Sequence, residues 1–163
     1  MALIDAVVVK DVFIGSRAIW DEKRIRQVVL TRGEPDNIGI SSIGGNLHPV
    51  GPEDEKGLLI DMGPGSTIAV VPIAPGLIRP VAIRDFRILD IGEQLTISDG
   101  PFVIALDGER EVEVGEGEQV TIRLAFDGPK VVDARLALRQ AKARSYLQRE
   151  AAYKNLILLK EEN

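Results

Sequence analysis

Glycine and proline occur so often in this chain that long helices are excluded from most of it. The 163 residues include 16 Gly and 9 Pro. Between residues 38 and 133 these residues separate short apolar runs that are rich in Val, Ile and Leu. Short β-branched runs bounded by turn formers are typical of strands joined by tight turns. We therefore predict a mainly β protein.

The clearest strand signals lie between residues 102 and 126. Residues 111–114 and 120–126 alternate apolar and polar side chains, which is typical of half-buried antiparallel strands. Asp107-Gly108 separates residues 111–114 from the apolar run Phe102–Leu106, and Asp-Gly between strands favours a hairpin turn.

The rest of the chain is assigned by the same patterns. Asp21 is a candidate N-cap, and Ile25, Val28 and Val29 form a helical stripe after it, so we predict a short helix at residues 22–31. Gly63-Pro64-Gly65 is predicted as a tight loop between strands. The remaining predicted strands are residues 6–14, 38–43, 57–60, 66–73, 77–83 and 86–91.

The composition changes after Val132. Residues 134–160 contain neither Gly nor Pro and are predicted to form a carboxy-terminal helix. We therefore divide the chain into a β domain at 1–133 and a helical region at 134–163. The apolar side chains Leu156, Ile157 and Leu158 are expected to pack on the sheet or on a second subunit, which favours a homo-oligomer.

Composition and charge exclude several function classes. The chain has no Cys and one His, so a thiolate nucleophile, a disulfide framework and a Cys-bound zinc site are excluded. The net charge of −5 argues against general nucleic-acid binding. The apolar runs are too short to span a membrane, and the start of the chain lacks a secretory signal pattern, so a cytoplasmic protein is expected.

Two loops contain candidate binding residues. Gly63, Gly65, Ser66 and Thr67 offer flexible backbone and hydroxyl groups that can contact a phosphate, although an ordinary turn explains the same residues. No Lys stands at the spacing of a P-loop. His48 lies in a loop, where a lone His is either a surface hydrogen-bonding residue or part of a site.

Two groups of charged residues are further candidates. Asp107, Glu109 and Glu111 surround the predicted hairpin turn, where their carboxylates can orient a hydroxyl or bind a metal, or can simply be solvated. The arginines at positions 79, 84 and 87 can bind phosphate or can pair with the neighbouring Asp85 and Asp90.

The order of these segments resembles the carboxy-terminal domain of the ATP-NAD kinase family, in particular its AcoX-like branch. Residues 7–17 resemble the family's Asn-Glu or Asn-Asp strand, with Lys10 replacing the Asn and Asp11 keeping the acid. Residues 39–49 resemble its Gly-Gly and His-Pro segment, and residues 72–75 its Pro-Ile-Cys-Pro. Residues 106–109 resemble the acidic turn of the related diacylglycerol and sphingosine kinases.

This resemblance, which covers roughly residues 4–140, implies a β-sandwich that binds NAD and faces an α/β lobe that binds ATP. It implies catalytic roles for Asp107 and Glu109. The phosphate contacts at Gly63, Gly65, Ser66 and Thr67 follow from the loop pattern described above and not from the resemblance. The implied substrate-binding residues are Asp11, Ser41, Ser42, Gly44, Gly45 and His48. Mg²⁺ and ATP would act with the amino-terminal lobe, whose Gly-Gly-Asp-Gly-Thr motif is missing here, so the chain alone is expected to be inactive.

Two other functions are compatible with the same fold. One is a non-catalytic binding or oligomerisation module, which the Lys10 replacement and the apolar carboxy-terminal segment favour. The other is the acceptor domain of a lipid kinase-like protein.

Overall fold

The structure is a computed structural model that describes residues 1–10, 21–128 and 132–146. It divides into two compact units, Met1–Gly128 and Pro129–Asn163. Asp11 and the apolar residues Leu156, Ile157 and Leu158 lie outside the described residues. In the part of the chain that is described, no helix combines the length and apolar character needed to cross a membrane.

The first unit is built mainly from antiparallel strands, which confirms the predicted mainly β fold. Six strands form one sheet in the order β4-β3-β2-β1-β6-β7, and β5 pairs with β8 in a second sheet. The elements of this unit are β1 (Asp5–Val9), β2 (Ile25–Leu30), α1 (Ser41–Leu47), β3 (Lys56–Ala74), β4 (Leu77–Asp90), β5 (Gln94–Ile97), β6 (Phe102–Leu106), β7 (Arg110–Val114) and β8 (Val120–Arg123). In the second unit, α2 (Ala134–Ala143) is a helix in the predicted carboxy-terminal region.

The central strands of the six-stranded sheet are buried on both faces. On one face, Val28, Leu30 and Leu58 pack with Ile43 of α1. On the other face, Val8 and Ile104 belong to a second apolar cluster. That cluster also includes Ile97 of β5, and Leu95, Val120 and Ile122 pack against it. The first unit is therefore a sandwich of one large and one small sheet, with α1 covering the outer face of the large sheet.

The helix predicted at residues 22–31 is wrong, because this segment contains β2. Val28 pairs with Val7 of β1 on one side and with Ile60 of β3 on the other. A central strand with both faces buried has no polar-apolar alternation, so its apolar residues can imitate a helical stripe. Asp21 caps a turn instead of a helix, since its Oδ1 accepts a hydrogen bond from the Lys23 amide at 3.1 Å.

The strand predicted at residues 38–43 is also wrong, because α1 begins at Ser41. The propensity of Ser-Ser-Ile-Gly-Gly for helix is low, so packing determines the structure of this segment. A Cβ on Gly44 would lie 2.4 Å from Leu30 Cδ1, and one on Gly45 would lie 2.2 Å from the Glu34 carbonyl oxygen. These two glycines allow a short helix to approach the sheet and the preceding loop closely.

The predicted loop at residues 63–65 and the gap between the strands predicted at 77–83 and 86–91 are irregularities of one long hairpin. The segment 63–65 lies inside β3, and β4 continues through residues 84 and 85. Met62 and Thr67 both pair with Ile83, so residues 63–66 have no Cα partner in β4. Beyond this irregularity the hairpin continues as a two-stranded arm, residues 67–83, which contacts α1 and its preceding loop: the Gly39 amide donates to the Pro72 carbonyl at 2.9 Å.

The predicted Asp107-Gly108 hairpin is confirmed. β6 pairs with β7 from Phe102↔Val114 to Leu106↔Arg110, and the turn residues have φ angles of 53° and 68°. Positive φ at both central positions is the geometry of a type I′ turn, which Asp-Gly favours. The strand predicted at 111–114 is present as β7, and the strand predicted at 120–126 is present over residues 120–123 as β8.

The close approach at Gly45 can be tested by adding one methyl group. We expect Gly45→Ala to lower the free energy of unfolding by about 1–3 kcal/mol, because its Cβ would overlap a backbone carbonyl that cannot easily move. Gly128→Ala is the matched control, since a Cβ at that position meets nothing within 4 Å. Urea denaturation followed by far-UV circular dichroism measures both; equal stability of the two variants would contradict the packing described for α1.

Candidate functional site

The irregular segment of β3 brings the predicted phosphate-binding residues next to an arginine. Residues 63–66 bulge out of the ladder opposite Arg84, which is itself an extra residue between Ile83 and Asp85 in the pairing of β4. Gly65 lies directly on the partner strand, since a Cβ there would stand 2.3 Å from the Ile83 carbonyl oxygen. Ser66 is exposed and Thr67 is half-buried, where pairing with β4 resumes.

Gly63 makes room for the Arg84 guanidinium. A Cβ on Gly63 would lie 2.8 Å from Arg84 Nη2, and the backbone φ of Gly63 is 122°, a conformation that L side chains rarely adopt. Both facts require glycine at this position. We call the bulged residues 63–66 together with Arg84 the bulge site.

Arg84 has no ion-pair or hydrogen-bond partner among the residues that the structure describes. The carboxylates next to it are engaged elsewhere. Asp85 Oδ1 accepts from the Phe86 amide at 2.8 Å, and Asp61 Oδ1 accepts from Gln27 Nε2 at 2.7 Å. An exposed guanidinium offers five donors in a fork that fits the oxygens of a phosphate or a carboxylate.

The other two predicted arginines differ from Arg84. Arg87 forms an ion pair with Glu93, and not with Asp85 or Asp90, the two partners considered from the sequence. Asp90 is held by Lys56. Arg79 is exposed on the arm. The sequence pattern does not distinguish the three arginines, and only the pairing register of β3 and β4 sets Arg84 apart.

The substrate-binding residues predicted in α1 lie mostly in the core. Ser42 is fully buried, and its hydroxyl donates to the Gly39 carbonyl at 2.6 Å. Gly44 and Gly45 are buried by the contacts described above. Ser41 is half-buried, and its Oγ accepts from Asn37 Nδ2 at 3.4 Å. In this conformation Ser42 and the two glycines position the helix and have no exposed side-chain group to offer a ligand.

His48 follows α1 and is exposed. Its amide donates to the Gly44 carbonyl at 2.8 Å, which ends the helix. The structure therefore gives His48 a role as C-cap, and its ring is accessible from solvent.

The Asp107 carboxylate holds the first residues of the chain. It accepts hydrogen bonds from the amides of Leu3 at 2.9 Å, Ile4 at 2.8 Å and Asp5 at 3.2 Å. Arg110 approaches the same carboxylate at 3.7 Å and also donates to the Met1 carbonyl. We call Asp107 and Arg110 the amino-terminal clamp.

The pKa values of Asp107 and of Asp5, whose amide Asp107 binds, are shifted in opposite directions. Burial raises the pKa of Asp107, but the three amide donors and Arg110 outweigh it, so the net pKa lies below the usual value. Burial is the largest influence on Asp5, and the charge of Asp107 adds to it. Together they raise the pKa of Asp5 from 3.8 to about 6, against an opposing hydrogen bond from the Asp107 backbone.

Glu109 and Glu111 differ from Asp107 because both are exposed. The Glu109 amide closes the turn by donating to the Leu106 carbonyl at 3.1 Å, which leaves its side chain at the surface. Of the two predicted catalytic carboxylates, Glu109 is therefore the one that another molecule can reach.

The clamp also fixes one wall of a cavity of about 470 Å³. Leu3 and Ile4 line this cavity together with Val29 and Ile104 of the large sheet and Ile122 of β8. The cavity therefore lies between the two sheets of the sandwich, with aliphatic side chains as its main lining.

The structure does not bring the predicted site residues into one cluster. Asp107 directly follows β6, which is three strands away from β3 in the sheet, and its row contains Asp5, Leu30 and Leu58. The bulge begins five residues farther along β3. Standard strand spacings place the two sites about 20 Å apart. α1 lies between β2 and the arm on one face of the sheet, so three separate groups result.

Comparison with known proteins identifies the kind of domain. Residues 1–127 match the family described as the acetoin catabolism protein X C-terminal domain. The chain belongs to this family. It is also 36% identical over 152 residues to acetoin catabolism protein X of Cupriavidus necator, covering 91% of the chain and 42% of that relative. No solved structure matches the chain.

Membership in the acetoin catabolism protein X family fits the extent of the β sandwich. The family match ends at residue 127, and the first compact unit ends at Gly128. The bulge site, α1 and the amino-terminal clamp all lie inside the matched region. The chain spans less than half the length of its Cupriavidus relative.

The amino-terminal clamp predicts unequal roles for the two acidic residues of the turn. We expect Asp107→Asn to lower the free energy of unfolding by about 1–2 kcal/mol at pH 7, because three amide donors lose a charged acceptor. Glu109→Gln should change it by less than about 0.5 kcal/mol. Urea denaturation measures both variants, and an equal effect would rule out the clamp.

The raised pKa of Asp5 predicts a pH dependence of stability. A folded-state pKa above the unfolded value means that the folded chain holds the Asp5 proton more strongly, so this contribution is complete below pH 4 and is lost as the pH rises through about 6. We expect Asp5→Asn to raise the free energy of unfolding by about 1–2 kcal/mol at pH 7.5 and by little at pH 4. A gain of the same size at both pH values would contradict this assignment.

Proposed function

We propose that this chain is the acceptor-binding lobe of an NAD kinase-like phosphotransferase and acts with an α/β lobe that binds ATP. In the proposed reaction a ribose hydroxyl of NAD attacks the γ-phosphoryl group of ATP, the hydroxyl loses its proton, and ADP leaves. This chain contributes the site for NAD. The α/β lobe, on the same or a separate chain, contributes the ATP site.

Two facts about the family support a lobe that does not act alone. The matching family is by its description a C-terminal domain. The chain corresponds to 42% of the length of the Cupriavidus relative, so more than half of that protein lies outside the matched region. The ordered motifs that resemble the NAD kinase family lie within the matched region.

The observation that carries the proposal is the unpaired guanidinium of the bulge site. Arg84 lies against a glycine that cannot be replaced without moving it, and no described residue neutralises its charge. NAD carries a diphosphate, and a guanidinium can bind two of its oxygens at once. The exposed Ser66 hydroxyl lies in the same bulge and can donate to a third oxygen.

Glu109 and Asp107 take different roles in this proposal. Glu109 is exposed but lies about 20 Å from the bulge site, so it does not reach a ribose hydroxyl of NAD whose diphosphate binds Arg84, and the proton of that hydroxyl passes to solvent water. Asp107 acts as a positioning residue, because its carboxylate holds the start of the chain. The described residues contain no cluster of three or more His, Asp or Glu that would bind a metal, so we derive no step through Mg²⁺ and assign it, with ATP, to the α/β lobe.

Titration calorimetry of the chain with NAD tests the binding part of the proposal. We expect weak binding, detectable at millimolar NAD, that Arg84→Gln weakens at least tenfold. Arg79→Gln is the matched control, because Arg79 is an exposed arginine of the same strand outside the bulge site. It should change the affinity less than twofold. The absence of heat with NAD, NADP and ATP, or an equal effect of the two variants, would overturn the assignment.

Phosphate transfer is tested in a chimera that joins this chain to the part of the Cupriavidus relative preceding the matched region. We expect the chimera to convert NAD to NADP with ATP and the chain alone to be inactive. Arg84→Gln should raise the KM for NAD at least tenfold, and Arg79→Gln, the control on the same strand, should change it less than twofold. A folded chimera that binds both nucleotides but transfers no phosphate would contradict the proposed reaction.

A further inference from the structure

β8 is paired along one edge only. Its neighbour is β5, and the two strands form a separate two-stranded sheet. Leu124, directly after β8, turns both of its backbone groups toward the β5 side: its amide donates to the Glu93 carbonyl at 3.0 Å, and its carbonyl accepts from the Gly92 amide at 2.8 Å. Because backbone groups alternate in direction along an antiparallel strand, those of Thr121 and Arg123 point to the opposite edge.

The backbone groups on this second edge of β8 have no hydrogen-bond partner in the part of the chain that the structure describes. Thr121 and Arg123 each present one amide donor and one carbonyl acceptor there. These groups have the spacing of an antiparallel ladder, so an added strand can pair with all of them. We call them the free edge of β8.

The free edge borders the cavity between the two sheets. All residues from 120 to 126 line this cavity, whose buried end includes Val29 and Ile104, 5% and 2% exposed. Of the other outer strands, β4 and β5 contribute no described residue to the cavity, and β7 contributes only Val112. Unpaired backbone and an aliphatic cavity therefore meet at β8 and not at the other sheet edges.

We propose that the free edge of β8 binds an extended peptide segment of a partner protein by strand addition. The peptide backbone pairs with Thr121 and Arg123, and alternate side chains of the peptide enter the cavity beside Ile122, which packs on the inner apolar cluster. The other side chains of the peptide point to solvent. Arg123 is exposed there and has no ion-pair partner among the described residues, so an acidic residue is favoured at that position.

The size of the cavity favours a peptide over a folded partner. Its volume of about 470 Å³ is typical of pockets for small ligands. Leu3 and Ile4, which the amino-terminal clamp holds in place, also bound it. A folded lobe or a second copy of this chain is too large to enter, whereas a single strand that matches the four residues of β8 can do so. A purely apolar molecule would leave the backbone groups of the free edge without partners.

The peptide site is separate from the proposed NAD site. Neither Arg84 nor the bulged residues 63–66 line the cavity. Peptide binding and NAD binding can therefore be measured independently, and the failure of one proposal leaves the other standing.

Fluorescence anisotropy with the labelled peptide acetyl-Ser-Val-Glu-Val-Ser-amide tests the peptide site on the full chain. We expect saturable binding with a Kd below about 1 mM. Thr121→Pro should weaken it at least tenfold, because proline removes an amide of the free edge without removing a hydrogen bond to β5. Thr96→Pro is the matched control, since Thr96 is exposed opposite Thr121 but does not line the cavity. It should change the affinity less than twofold.

A modified peptide provides a second test that does not depend on the folding of a protein variant. Methylation of the peptide nitrogens that face β8 removes the donors of the new ladder and keeps every side chain. We expect this peptide to bind at least tenfold more weakly. Equal binding of the two peptides would indicate an apolar site without strand pairing and would overturn the proposal.

The chain's own apolar segment is the remaining competitor for the free edge. Leu158, which lies outside the described residues, provides the control. Leu158→Asp should leave the affinity for the peptide unchanged. Binding at least tenfold tighter in this variant would assign the free edge to the chain's own segment and contradict a site for a partner, as would the absence of binding up to about 1 mM.

Discussion

Burial of the central strands of the large sheet on both faces is the constraint on which the rest of the first unit depends. β1 and β2 are internal strands, and their side chains enter two different apolar clusters. A sheet of this kind needs a cover on each side. The β5–β8 pair provides one cover, and α1 with the arm provides the other. Each cover is small, so both depend on close contacts with the sheet.

Those contacts explain why small residues are found in α1. A seven-residue helix with two central glycines is not stable alone. It is held by apolar packing of Ile43 and by the approach that Gly44 and Gly45 permit. The Gly-Gly segment that resembles a nucleotide-binding motif therefore has a packing role in this structure. The bulge site differs, because Gly63 accommodates an exposed charged side chain.

The sequence predicted the elements whose local signals agree with their environment. The β6–β7 hairpin is an example, since Asp-Gly specifies its turn and alternation specifies its strands. It did not predict β2 or α1, since a strand buried on both sides lacks alternation and a Gly-Gly helix lacks propensity. The importance of Arg84 could not be predicted either. The long-range register of β3 and β4, which places Arg84 opposite the bulge, is set by packing and not by residues near position 84.

The hydrogen bonds of Ser42 restrict the motion of the arm relative to α1. Its hydroxyl lies within bonding distance of the Gly39 carbonyl at 2.6 Å and of the Pro72 carbonyl at 3.3 Å, and the Gly39 amide donates to Pro72 as well. The helix and the arm are thus joined by the fully buried Ser42 hydroxyl and by backbone groups of the half-buried Gly39 and Pro72. The arm cannot swing as a hinged flap unless these bonds break and the core opens. A partner that binds the arm would therefore also affect the position of α1 on the face of the sheet.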